Sequence, residues 1–242
     1  MWFELALGAI FLLSAFTMGF AGFGFALVAV PLLTLLIPVQ HAVALQLPFS
    51  LILFSYSGWH YRHHFSWSHV QPLIAGTIAG LTLGTLLLLH LPETALKRIL
   101  AACIIAVVLL NLLPLSKAAI TVMARSRWWG IFWGFISGSF MGAYTIGGPP
   151  ATVYIMSVSS NSYQAKSFLG SYFAVLFVLM ACIYSYTGVL TQEFLQSWLM
   201  FLPVVVLGFI VGIWAFARVS NLLYRRAVTG MLLFAALLLW LE

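Results

Sequence analysis

The sequence predicts an all-α integral membrane protein with two inverted-topology repeats, each a glycine-broken helical hairpin followed by three transmembrane helices. Of its 242 residues, 64% are hydrophobic and only 6% are charged, whereas a soluble domain carries roughly a quarter charged residues. Glycines interrupt long apolar segments at corresponding places in the two halves, and the basic residues concentrate in alternate loops. In a soluble chain the net charge of +6 would suggest nucleic acid; here the cations report membrane topology, and no nucleic-acid partner is expected.

The two interrupted segments are the strongest signal in the chain. The first, residues 2–37, exceeds the roughly 20 residues of one span, and its glycines predict two short helices, either a re-entrant hairpin or a pair of short spans. The second covers residues 128–158. A shift of 123 positions matches Ser14, Met18, Gly19, Gly24 and Val30 with Ser137, Met141, Gly142, Gly147 and Val153. Paired interruptions of this kind are the best sequence pointer to a transporter's binding site.

Three further spans are predicted in each half: 42–58, 70–91 and 96–113, then 165–187, 197–216 and 227–241. Glycines at 76, 80 and 84 recur every fourth residue, and Gly208 and Gly212 repeat the pattern. That spacing lets helices approach closely. We therefore predict repeat 1 at 1–114, a cytoplasmic linker at 115–127 and repeat 2 at 128–242.

Loop charges predict the topology. If each broken segment begins and ends on the same face, the loops at 59–69, 114–127, 159–166 and 217–226 share one face. That face then carries Arg62, Lys117, Arg125, Arg127, Lys166, Arg218, Arg225 and Arg226, and the other carries Lys97 and Arg98. Eight cations against two indicate a cytoplasmic face for these loops. The second half is then inverted relative to the first, and both termini lie outside.

A helix interrupted at the midplane exposes backbone N–H groups and the positive end of its dipole, so it can bind an anion without a charged side chain. We predict helices beginning near Phe25 and near Pro149, converging from opposite leaflets. The predicted substrate-binding residues are Phe20, Ala21, Gly22, Phe23, Gly24, Gln46, Ser50, Thr145, Ile146, Gly147, Gly148 and Ser171, with Thr152 and Tyr172 as further polar candidates. The alternative is that the glycines serve only packing or kinking, and that Gln46 bonds a neighbouring helix.

The motifs Gly19-x-x-Gly22-Phe23-Gly24, followed by Val30-Pro31, and Gly142-x-x-x-x-Gly147-Gly148-Pro149 resemble the paired glycine-rich motifs of the sulfite exporter TauE/SafE family. The repeat plan, chain size and small loops are similar along nearly the whole chain. The resemblance implies a secondary transporter that exports sulfite or a sulfonate such as sulfoacetate. We expect it in a bacterial inner membrane, with lipid and a small inorganic or organosulfur anion as partners, a homodimer left open, and no cofactor.

Other functions receive less support from the sequence. His60, His63 and His64 suggest a metal transporter, but none of the four carboxylates is nearby in sequence. Ser137 and Ser139 suggest an intramembrane hydrolase, but no histidine sits mid-span to activate a serine. The chain has no Asp at all, which argues for an anion and against a proton or cation relay. The remaining alternative is a permease for another small anion.

Overall fold

The computed structural model describes residues 2–21, 24–112, 126–191 and 194–216. All regular structure in these ranges is helical, which confirms the predicted all-α class. The helices, labelled here in chain order, are α1 Trp2–Ala21, α2 Phe25–Leu33, α3 Val39–His60, α4 Trp67–His90, α5 Glu93–Leu112, α6 Arg127–Tyr144, α7 Gly148–Val158, α8 Ser162–Tyr186 and α9 Phe194–Phe216, with a 3-10 turn at Arg62–His64.

Five of these helices, α1, α3, α4, α8 and α9, contain a stretch long and apolar enough to cross a membrane. The chain is therefore a membrane protein. Helices α2 and α7 are different, with 9 and 11 residues. At 1.5 Å per residue they extend about 14 and 16 Å, roughly half the hydrocarbon thickness of a bilayer.

Each broken segment contains one long and one short helix. The second helix begins at Phe25 in the first segment and at Gly148 in the second, which agrees with the predicted starts. The expectation of two short helices is wrong for the first member, because α1 has 20 residues and α6 has 18. Gly19 does not end α1: a β-carbon added there would lie 2.2 Å from the Phe209 carbonyl oxygen of α9, so this glycine serves a helix crossing.

The helices form two compact units that do not coincide with the predicted repeats. The first unit contains α1, α2, α3 up to Ser50, α5 up to Leu110 and, from Ile183, the end of α8 together with α9. The second contains α3 from Leu51, α4, α6, α7 and α8 up to Cys182. Helix α4 of the first half thus belongs with the second half's broken segment, and α9 of the second half belongs with the first. The repeat boundaries themselves stay a prediction.

Glycines at every fourth position build the crossing of α4 and α6 in the second unit. β-Carbons added at Gly76, Gly80 and Gly84 would lie 1.9, 2.1 and 2.1 Å from carbonyl oxygens of α6. The contact is reciprocal, because a β-carbon at Gly138 would lie 2.3 Å from the Thr77 carbonyl oxygen. The close approach predicted from the glycine spacing is therefore confirmed.

The crossing of α1 and α9 in the first unit is also built on closely packed glycines. β-Carbons at Gly208 and Gly212 would lie 2.5 and 2.2 Å from the carbonyl oxygens of Leu12 and Phe16. Beside this crossing, the Phe11 ring packs against Phe201 at 5.2 Å between ring centroids. The predicted correspondence between the two glycine patterns thus extends to their packing role.

Helices α6 and α7 form a hairpin within the second unit. A β-carbon added at Gly130, near the start of α6, would lie 2.9 Å from Cζ of Tyr154 on α7. The Tyr154 hydroxyl donates to the His69 carbonyl oxygen, at the start of α4, at 3.1 Å. The start of α6, part of α7 and the start of α4 therefore lie together; whether this segment is a re-entrant hairpin or a pair of short spans stays a prediction.

Two of the basic loops lie close together in the second unit. The Lys166 ammonium nitrogen is 5.6 Å from the centroid of the Tyr61 ring, so the loop after α3 and the start of α8 share one end of the unit. Which end faces the cytoplasm, and whether the halves are inverted, stay predictions. The predicted span 227–241 and most of the linker 115–127 lie outside the described residues.

Candidate functional site

The second break lies between α6 and α7, and two of its backbone N–H groups have no hydrogen-bond partner in the described chain. Thr145 adopts the left-handed conformation at φ 58°, and its N–H donates to the Met141 carbonyl oxygen at 2.8 Å. The Ile146 N–H donates back to Phe140 at 3.3 Å. These bonds close the carboxyl end of α6. Of the predicted donors at 145–148, those of Gly147 and Gly148 therefore remain, and in the described chain neither has a hydrogen-bond partner.

Two prolines reduce the number of backbone N–H groups at the start of α7. Residues 149 and 150 occupy the first turn of α7 and have no N–H. The Ala151 N–H is the first in the helix to find a carbonyl, that of Gly147 at 3.4 Å. The start of α7 thus presents a short, defined pair of donors, with no side-chain cap over them.

The first break presents three donors at the start of α2. Gly24 adopts a left-handed conformation with φ 103°, and no side chain caps the helix. The first bond of the helix runs from Val28 N–H to the Gly24 carbonyl oxygen at 3.1 Å. The N–H groups of Phe25, Ala26 and Leu27 precede it and have no partner among the described residues. All three residues are buried, and a buried helix end without a cap calls for a ligand or water.

A chain of three buried hydroxyl groups connects the second break to the neighbouring helices. The Ser137 hydroxyl donates to the Gly147 carbonyl oxygen at 2.8 Å and lies 3.1 Å from the Tyr172 hydroxyl. Tyr172 is 2.6 Å from the Thr77 hydroxyl, which donates to the Leu73 carbonyl oxygen at 2.7 Å. The break is therefore tied to α4, α6 and α8 through side chains with almost no exposed surface.

Ser137 and Thr77 are absent from the predicted site. Each stands next to a glycine of the α4–α6 crossing, Gly138 and Gly76. A small hydroxyl beside a close-packing glycine is a signal that could have identified both, because such a position faces the neighbouring helix.

A buried polar pair in the first unit contains two predicted residues. The Ser50 hydroxyl donates to Oε1 of Gln46 at 2.6 Å, and neither side chain is exposed. Because Oε1 accepts this bond, the other end of the amide is its donor end. The carbonyl oxygen of Leu45, the residue directly before Gln46, accepts a bond from the Trp198 indole N–H at 3.1 Å.

The remaining predicted residues occupy different surroundings. Phe20 is buried and stacks on Phe16 at 6.1 Å between ring centroids. Ser171 is half-buried, and its backbone nitrogen would lie 3.0 Å from a β-carbon added at Gly58, at the crossing of α3 and α8. Ala21 ends α1, and Gly22 and Phe23 lie outside the described residues. The predicted residues fall into two sets in different units, so the convergence of the two helix starts stays a prediction.

The two break glycines have different surroundings on the side where a side chain would be attached. A β-carbon at Gly147 would lie 2.9 Å from Ser137 Oγ and 3.2 Å from Phe173 Cε1. At Gly24 it would make an ordinary 3.5 Å contact with Thr17. The Cα side of Gly147 is therefore closely packed, whereas the Cα side of Gly24 has room for a β-carbon.

Charged and metal-binding side chains lie elsewhere in the described chain. None of its charged side chains is buried, and no three His, Cys, Asp or Glu residues in the described ranges are grouped to hold a metal ion. In the loop after α3, the Arg62 guanidinium stacks over the Trp59 ring at 4.3 Å. The Glu93 carboxylate accepts the Val39 N–H at 3.0 Å and so caps the start of α3.

Comparison with known families gives one match. A family model described as sulfite exporter TauE/SafE matches residues 6–239, which is nearly the whole chain. Comparison with curated proteins and with solved structures returns no match.

Proposed function

The chain belongs to the sulfite exporter TauE/SafE family, and from that premise we propose that it exports an anion carrying an SO₃ group, sulfite or a sulfonate such as sulfoacetate. The family consists of transporters, so the chain is a membrane anion exporter. The mode of recognition that we propose is binding by backbone N–H groups at an uncapped helix start, at α2 in the first unit and at α7 in the second.

The observation that carries the proposal is the pair of uncapped helix starts. Three buried residues at the start of α2 and two glycines at the start of α7 carry N–H groups without partners in the described chain. A buried polar group without a partner is costly at membrane depth. An anion offsets that cost, and the positive end of each helix dipole favours its charge.

The donor geometry suits an SO₃ group. The α2 start offers three successive N–H groups, and an SO₃ group offers three oxygens. Hydrogen bonds to charged groups are worth about 1.5–3 kcal/mol each, so a few of them hold the anion and still permit its release. Gln46, whose Oε1 accepts from Ser50, lies in the same unit as α2 and is proposed to donate its amide N–H to the anion.

Export follows the membrane potential. The chain has no Asp, and none of the charged side chains in the described ranges is buried, so we propose transport without a proton or sodium relay. An anion leaving a cytoplasm that is negative inside gains about 2.3 kcal/mol per charge at 100 mV. For a dianion this corresponds to a concentration ratio on the order of a thousand.

The test is a side-by-side binding comparison on the purified full chain. Radiolabelled sulfite is bound first, and sulfoacetate, sulfate and chloride then compete for it. We expect sulfite or sulfoacetate to compete at the lowest concentration. If sulfate or chloride displaces sulfite equally well, the chain is a general small-anion permease. If sulfite does not bind, the proposed substrate is wrong.

A further inference from the structure

We propose, building on the function above, that Ser137 is a positioning residue for anion binding. Its hydroxyl holds the peptide between Gly147 and Gly148 in the orientation that presents the Gly148 N–H to the anion. Tyr172 competes for the same hydroxyl proton and so sets how firmly that peptide is held.

The geometry of the peptide unit gives the first argument. In a trans peptide the carbonyl and the following N–H point in opposite directions. Ser137 is fully buried and donates to the Gly147 carbonyl oxygen at 2.8 Å, so the Gly148 N–H is directed away from Ser137. Glycine on both sides of this peptide leaves its rotation sterically open. Half a turn would replace a donor with a carbonyl oxygen, which repels an anion.

The count of protons gives the second argument. The Ser137, Tyr172 and Thr77 hydroxyls lie between two acceptors, the carbonyl oxygens of Gly147 and Leu73. Four contacts connect these five groups, but three hydroxyls supply only three protons. When Ser137 holds Gly147, the contact without a proton is the longest one, 3.1 Å between Ser137 and Tyr172. If the Ser137 hydroxyl turns to Tyr172 instead, the Gly147 carbonyl loses this bond.

The two hydroxyls therefore have opposite effects on the peptide. Ser137→Ala removes the shorter of the two bonds to the Gly147 carbonyl oxygen and leaves the 3.4 Å bond from the Ala151 N–H, so the peptide rotates more easily. Tyr172→Phe removes the competitor, and the two remaining hydroxyls then have one carbonyl acceptor each, so the peptide is held more firmly. A purely structural role predicts the same direction for both variants, because each removes buried hydrogen bonds.

The experiment measures the dissociation constant of radiolabelled sulfite and the melting temperature of the purified full chain. Ser137→Ala should raise the dissociation constant about tenfold, the loss of one hydrogen bond to a charged group. Tyr172→Phe should leave it at or below the parent value, although its melting temperature falls. Cysteine is close to serine in volume and is a weak donor, so the dissociation constant of Ser137→Cys should lie between those of the parent and Ser137→Ala. The cysteine variant replaces the alanine variant in this test if the latter does not fold.

Ser14→Ala is the matched control. Ser14 occupies the position 123 residues earlier and is equally buried, but its hydroxyl donates to Ile10 within α1 at 2.7 Å. It should lower the melting temperature without changing sulfite binding. Failure of the parent protein to bind sulfite contradicts the proposed function. The positioning role is wrong if the parent protein binds sulfite normally and the Ser137 and Tyr172 variants change the sulfite affinity in the same direction. It is also wrong if neither variant changes that affinity.

Discussion

Gly24 provides the left-handed turn from which α2 starts, and its replacement tests whether that turn presents the donors. Its φ is 103°, and an L residue in the left-handed region costs about 1–2 kcal/mol. Space does not oppose the change, because a β-carbon would lie 3.5 Å from Thr17 Cγ2. The penalty in Gly24→Ala is therefore one of backbone conformation. If the turn relaxes, the backbone N–H groups at the start of α2 lose their orientation. The sulfite dissociation constant should then rise by about 5- to 30-fold.

Two further variants define that experiment. Gly24→Asn should bind better than Gly24→Ala, since asparagine tolerates the left-handed region. Gly188 is the matched control, because its φ is 75° and no heavy atom lies within 4 Å of an added β-carbon. Gly188→Ala introduces comparable strain outside both broken segments and should bind sulfite normally. Binding assays and thermal unfolding on all three variants separate the effects. Normal sulfite affinity in Gly24→Ala would refute the role of the α2 start.

Three further predictions follow from the packing and the charges. Gly80→Ala should destabilise the protein by about 1–3 kcal/mol in thermal unfolding, because its β-carbon would lie 2.1 Å from a carbonyl oxygen, whereas Gly8→Ala, with its nearest contact at 3.7 Å, should be neutral. Glu93→Ala should cost about 1 kcal/mol, since the cap on α3 is lost; an unchanged melting temperature would contradict it. Cysteines at Ser116 and Gln192 should be labelled from opposite faces of the membrane, and labelling from one face would overturn the predicted topology.

The helix starts could be predicted because their causes are local. A glycine that supplies a left-handed turn and prolines that fit a first helical turn lie within a few residues of Phe25 and Gly148. The length of α1 could not be predicted in the same way. Gly19 looks like a helix breaker in the sequence, but a glycine at a helix crossing and a glycine at a break differ only in their distant neighbours.

The partners of the glycine patterns also depend on long-range contacts. The spacing of Gly76, Gly80 and Gly84 indicates a close neighbour without identifying it, and that neighbour, α6, belongs to the other half of the chain. The bond between Ser137 and Gly147 spans 10 residues, and the contact of Ser137 with Tyr172 spans 35. Sequence spacing alone does not bring these residues together, so the hydroxyl chain appears only once the helices are packed.

Flux under a controlled membrane potential tests the central claim most directly. Proteoliposomes containing the full chain are loaded with sulfite, and a potassium gradient clamps the potential. At 100 mV each charge is worth about 2.3 kcal/mol, so sulfite flux should follow the imposed potential and carry a net negative current. Sulfite flux that ignores the potential and follows an imposed proton gradient would contradict the account.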